Sequence, residues 1–197
     1  MRKTKSLYPK LIIKPAFESA SRGINNTSIS FYTNEFEQQI QHLQNEFEQD
    51  ILAQEFISGY EVQGPVIKIN GKYFAPMAIG IAMDNNSLLC DRIITYDIAY
   101  DETYNFYDFA KINMTLAQQL MKTAESACAI LGLEHYGRFD FRINAEGSFY
   151  ITDISTHPFL IKHSAFAYMF SFLSLKYEDI FLLLINLALN LEGDQLY

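Results

Sequence analysis

The stretch Gly137-Arg138-Phe139-Asp140-Phe141-Arg142-Ile143, continued after Asn144-Ala145-Glu146-Gly147 by Ser148-Phe149-Tyr150-Ile151-Thr152-Asp153-Ile154-Ser155, constrains the fold most. Two runs of alternating polarity around a Gly-containing turn predict a β-hairpin. With Glu146-Gly147 as the turn, Ala145 pairs with Ser148, Arg142 with Ile151, Asp140 with Asp153, and Arg138 with Ser155. Side chains alternate between faces. One face then carries Arg138, Asp140, Arg142, Asp153 and Ser155, and a core face carries Phe139, Phe141, Ile143, Tyr150, Thr152 and Ile154. Two carboxylates opposed at roughly 5 Å repel one another. A hard cation between them relieves this, and Mg²⁺ takes one or two carboxylates plus phosphates. Arg138 beside them suits a phosphate or an oxyanion. The other reading is a solvated face on which Arg138 and Arg142 neutralise the acids. The hairpin alone leaves both open, because a one-residue slip would part the two acids.

The chain is long enough for one domain or two small subdomains, and 49% hydrophobic against 19% charged residues makes it globular. A net charge of −8 argues against binding to nucleic-acid backbones. Cys90 and Cys128 fit no disulfide framework or zinc spacing and read as buried thiols of a reducing, cytoplasmic compartment. No apolar signal core follows the basic start Met1-Arg2-Lys3-Thr4-Lys5. The apolar run 181–189 is too short to span a bilayer and reads as part of a buried terminal helix, so no membrane partner is expected.

In chain order, 10–15 reads as a strand ending in Lys14-Pro15, followed by the small-residue loop 17–23, a second strand at 29–32, and a helix over 34–48 capped by Asn34 with Glu37. Strands are expected at 50–57 and 60–69. Asn70-Gly71 is a strong hairpin signal, and the return strand 72–83 is interrupted by Pro76. The Tyr- and Asp-rich segment 84–108 reads as a long loop, 113–131 as a helix stopped by Gly132, and 164–176 and 178–191 as closing helices.

This order of elements resembles the ATP-grasp fold, and within it the D-alanine–D-alanine ligase family. The resemblance rests on Ile13-Lys14-Pro15-Ala16-Phe17-Glu18-Ser19-Ala20-Ser21-Arg22-Gly23, Gln54 to Val62, Gly137 to Phe141, and Phe149 to Ser164. It implies an α+β architecture of two subdomains, each an antiparallel sheet packed on helices, with a nucleotide cleft between them. Residues 1–64 would form the small subdomain, and 65–197 the large one with the metal-binding hairpin. It implies ATP and Mg²⁺ as cofactors. Lys14 would contact the phosphates, and Glu18 and Ser21 would lie near the reacting centre. Backbone at Gln54, Glu55, Phe56 and Ile57 would read adenine, and Glu61 the ribose. Arg138 would steady the acyl phosphate, Asp140, Asp153 and Ser155 would hold the metal, and Ser164 and Tyr100 would meet the amino-acid substrates.

The same residues admit plainer roles: Lys14 as a surface lysine, Ser164 as a helix cap, Tyr100 as loop packing. The chain also departs from the family pattern. It starts at the Lys14 strand, which predicts that a partner chain or a split gene supplies the family's N-terminal domain, and that the apolar surface left bare drives self-association or meets a partner. Ser155 replaces an Asn ligand, Phe159 a Gly, Ala99 a phosphate-binding Lys, and Asp153 a Glu. Arg142 replaces an apolar residue near the adenine, where it is placed to stack on the base. Two functions follow as expectations: an ATP-dependent carboxylate–amine ligase of this type, incomplete alone, or a catalytically degenerate ATP/Mg-binding or interaction module.

Overall fold

The computed structural model describes residues 9–189. Its contacts divide the chain into two units: Met1–Ser58 with Leu89–Tyr104, and Gly59–Leu88 with Asn105–Tyr197. The expected α+β character is present, with helices packed on antiparallel sheets.

In the first unit β1 (Lys10–Pro15) is flanked by β2 (Ile29–Phe31) and β3 (Ile51–Glu55), both antiparallel. The helix α1 (Asn34–Phe47) covers one face, where Ile13, Phe36 and Leu43 are buried among Leu11, Ile40, Phe47 and Ile51. The capping expectation is corrected. Thr33, extended at φ −142° and ψ 170°, is the cap, and its hydroxyl accepts from the Phe36 amide, while Asn34 is already helical. Within segment 84–108, expected as a loop, α2 (Tyr96–Tyr100) forms under a Thr95 cap.

The second unit is a six-stranded sheet. In chain order its strands are β4 (Tyr60–Ile69), β5 (Lys72–Phe74), β6 (Ile79–Ala82), β7 (Asn105–Asp108), β8 (Tyr136–Ile143) and β9 (Phe149–Ser155). They lie in the order β7-β6-β4-β8-β9, with β5 hairpinned onto β4 across Asn70-Gly71, both at positive φ. The expected single return strand is split around Pro76 into β5 and β6, since proline cannot donate to a ladder. One face packs on α3 (Met114–Leu131), burying Val62, Val66, Phe139, Phe141 and Ile143 against Leu116, Ala117, Leu120, Ala124 and Cys128. On the opposite face, α4 (Ala165–Phe172) and α5 (Glu178–Ala188) cover Ile67 and Ile79, with Tyr136 packed alongside. The expectation for α5 ran to Leu191, and its last two positions lie outside the described residues. No helix among the described residues is long and apolar enough to cross a membrane.

Two expectations about burial are corrected. Cys90 is exposed, and only Cys128 is buried, its thiol pushed up to about 11 by desolvation. Tyr150 and Ile154, expected on the core face, are 49% and 41% exposed: Tyr150 pairs with Arg142 on the other face, and Ile154 lies on β9, the sheet's outer strand.

Candidate functional site

The hairpin β8–β9 places Asp140 directly opposite Asp153 and Arg138 opposite Ser155, in the register that alternation predicts. Beyond Asp140 the register shifts: a bulge lets Phe141 pair with Ile151 and Arg142 with Tyr150, not Ile151. The bulge absorbs a turn one residue longer than the two-residue form, in which Asn144 Oδ1 accepts from the Glu146 and Ser148 amides. Thr152 is the extra residue, and its hydroxyl donates to the Asp140 carbonyl at 3.1 Å. The extra residue reverses the faces of residues 149–151 relative to strict alternation, while Asp153, beyond it, stays opposite Asp140.

On the other side of β8 runs β4, with Gln63 opposite Asp140 and Glu61 opposite Arg142. The face away from α3 therefore carries three cross-strand rows: Pro65–Arg138–Ser155, Gln63–Asp140–Asp153 and Glu61–Arg142–Tyr150. Arg138 grips Asp140 with two parallel bonds, Nε to Oδ1 at 2.7 Å and Nη2 to Oδ2 at 2.8 Å. Arg142 Nη1 donates to Glu61 Oε2 at 3.0 Å. Burial pushes the Asp140 carboxyl above its usual range. Arg138 pulls it down, Asp153 raises it further, and a hydrogen bond from Gln63 lowers it. Burial likewise pushes Glu61 up, against the pull of Arg142. A divalent cation at the opposed acids would relieve both the desolvation and the repulsion, so the donor set of Asp140, Asp153 and Ser155 fits Mg²⁺ completed by phosphates. No group of three or more His, Cys, Asp or Glu that could hold a metal occurs among the described residues, so the two opposed acids would leave most of the coordination to a ligand.

Arg142, expected near the adenine, donates from Nη1 to Glu61 within the sheet face, and the residue is 5% exposed. Gln63, 6% exposed and directly opposite Asp140 on β4, was not picked out from the sequence. A polar residue two positions from Glu61 inside an apolar strand was the available signal. The Ser164 hydroxyl accepts from the Ala167 amide at 3.2 Å and caps α4.

Within the first unit, Lys14 pairs with Leu52 and Ile12 with Gln54, so Lys14 and Gln54 share the face away from α1. Glu18 is tied to Arg22 at 3.3 Å and to Gln49 at 3.2 Å. Ala20 and Ser21 turn the loop in left-handed conformation. Glu55 ends β3 beside Leu11, the Phe56 amide donates to the Lys10 carbonyl at 2.8 Å, and Ile57 follows half-buried. Tyr100 is 76% exposed and stacks on Tyr96 at 6.1 Å; Ala99 lies between them in α2.

These sheets, their helix layers and the charged hairpin define a domain of the ATP-grasp class. The family model described as "D-ala D-ala ligase C-terminus" matches residues 2–186. The chain belongs to that family. It is 26% identical over 156 residues to a D-alanine–D-alanine ligase of Neisseria meningitidis, covering 78% of this chain and 47% of the relative. A Pseudomonas putida D-alanine–D-alanine ligase is 27% identical over 159 residues, covering 78% and 44%. Among solved structures, the Bacillus anthracis D-alanine–D-alanine ligase complexed with ATP superposes with a TM-score of 0.68 at 15% identity, covering 93% of this chain and 53% of that one. The VanG D-Ala:D-Ser ligase of Enterococcus faecalis gives 0.67 at 22%, covering 92% and 50%. The chain thus spans about half the length of the relatives it matches.

Proposed function

We propose that the chain supplies the nucleotide- and metal-binding part of an ATP-dependent carboxylate–amine ligase of the D-alanine–D-alanine type. The observation that carries this reading is the register that sets Asp140 against Asp153, with Arg138 and Ser155 in the adjoining row. Asp140, Asp153 and Ser155 would hold Mg²⁺, which supplies neutralisation of phosphate charge. Lys14 contacts the phosphates, Glu18 and Ser21 lie by the reacting groups, and backbone at Gln54, Glu55, Phe56 and Ile57 reads adenine. Glu61 takes the ribose, and Ser164 and Tyr100 meet the amino acids. In this chemistry a carboxylate oxygen of one amino acid attacks the γ-phosphorus of ATP, the bridging P–O bond breaks, and ADP leaves. The amine of a second amino acid then attacks the acyl carbon and loses a proton, and phosphate departs with the C–O electrons. Positioning and charge neutralisation carry most of a phosphoryl transfer. Arg138 does both, holding Asp140 in place and lending positive charge beside it.

One observation favours the degenerate module as a second reading: both Asp140 oxygens are already engaged by Arg138. Calorimetry with ATP and Mg²⁺, followed by phosphate release with single amino acids and pairs, separates the two. The ligase releases phosphate with the right pair and any missing domain supplied; the module binds without release. Asp153→Asn should abolish Mg²⁺-dependent ATP binding, and an unchanged affinity refutes the metal assignment. We also propose that a second copy or partner chain covers apolar surface on the closing helices, where Phe172, Leu182 and Ile185 are 51%, 59% and 53% exposed. A monomer in sedimentation contradicts self-association.

A further inference from the structure

Arg142 has no part in the ligase chemistry above, yet it is among the few buried charged groups of the sheet. A guanidinium inside a fold is costly unless paired, and a face that merely needed balancing charge would leave it in water. Here it is paired across the central strands. Its Nη1 lies 3.0 Å from Glu61 Oε2, and the side chains keep 6% and 15% of their surfaces exposed. Arg142 and Glu61 are register partners on β8 and β4. The two arms therefore meet because the ladder aligns them. A glutamate has three rotatable bonds, and an exposed one would sample many orientations. This one is tethered through Oε2, in a bond that does not involve Oε1.

We propose that Arg142 is a positioning residue for nucleotide recognition: it clamps Glu61 so that the carboxylate accepts from a vicinal diol, setting a preference for ribonucleotides over nucleotides lacking those hydroxyls. This rests on the assignment of Glu61 to the ribose. Arg142 itself touches no ligand and acts only through Glu61.

The test is calorimetry on the full chain with Mg²⁺ and either ATP or 2′,3′-dideoxy-ATP. Hydrogen bonds to a charged acceptor predict a wild-type preference for ATP of about tenfold or more. In Arg142→Met the preference collapses to within about twofold of unity while dideoxy-ATP affinity changes little, because only the diol contact depends on the clamp. A purely structural role would lower both affinities together and keep their ratio, and that result overturns the proposal. If Arg142→Met fails to fold, Arg142→Gln is read instead, and a retained wild-type ratio there overturns it equally. Wild-type protein that binds the two nucleotides alike, or binds neither, overturns the ribose assignment and this proposal together. Failure of the clamp alone leaves the wild-type preference standing and shows only in the variants.

Discussion

Gly59 gives the sharpest stability test, because it anchors the strand that carries Glu61 and Gln63. Its φ is +149°, and a Cβ built there would lie 1.8 Å from the Ile143 carbonyl oxygen and 2.8 Å from the carbonyl carbon. Both obstructing atoms are backbone of β8, so no side chain can swing aside. Gly59→Ala must therefore rotate its own backbone or part β4 from β8 next to the Tyr60–Ile143 pair. A residue held in so sparsely populated a conformation costs about 1–3 kcal/mol. Losing roughly one ladder hydrogen bond adds about 1 kcal/mol. The sum of roughly 2–4 kcal/mol corresponds to a fall of about 4–16 °C in Tm for a chain of this size. Thermal unfolding followed by circular dichroism reads it. Gly71→Ala is the control: φ there is +72°, but a Cβ meets nothing within 4 Å, so only the dihedral cost of about 1 kcal/mol remains. The reasoning is refuted if Gly59→Ala melts no lower than Gly71→Ala.

Three further outcomes are expected. Asp140 and Glu61 both have folded pKa values raised above the ordinary carboxylate range, mainly by burial. Their contribution to stability is full below that range and is lost as pH rises through the folded values, so Asp140→Asn should flatten the fall of the urea midpoint over that window. A variant with the same slope as wild type counts against it. Thr33→Ala removes the α1 cap and should cost about 1 kcal/mol, read as a lower urea midpoint at unchanged m-value. Leu120→Ala, at a fully buried α3 position, should cost roughly 2–5 kcal/mol; a Tm shift no larger than that of Thr33→Ala would refute its place in the core.

What was legible in the sequence was local. Asn113, Gly132 and Asn70-Gly71 mark a helix start, a helix stop and a turn through their own side chains and dihedrals, and all three act so in the structure. Segment 96–100 was missed because its apolar pattern covers barely one turn, and its cap is a single threonine. The Arg142–Glu61 pair was not legible because nothing local ties residue 142 to residue 61. That pair exists only once β4 and β8 are zipped together across the sheet.

The sequence by itself determined that a hairpin brings Asp140 and Asp153 onto neighbouring strands, since two runs of alternating polarity flank a Gly-containing turn. The folded hairpin decided where the ladder slips, and tertiary structure decided which charge answers Glu61 and that Gln63 lies opposite Asp140, because these pairings join strands distant in sequence and repay their loop-closure entropy only in the assembled sheet.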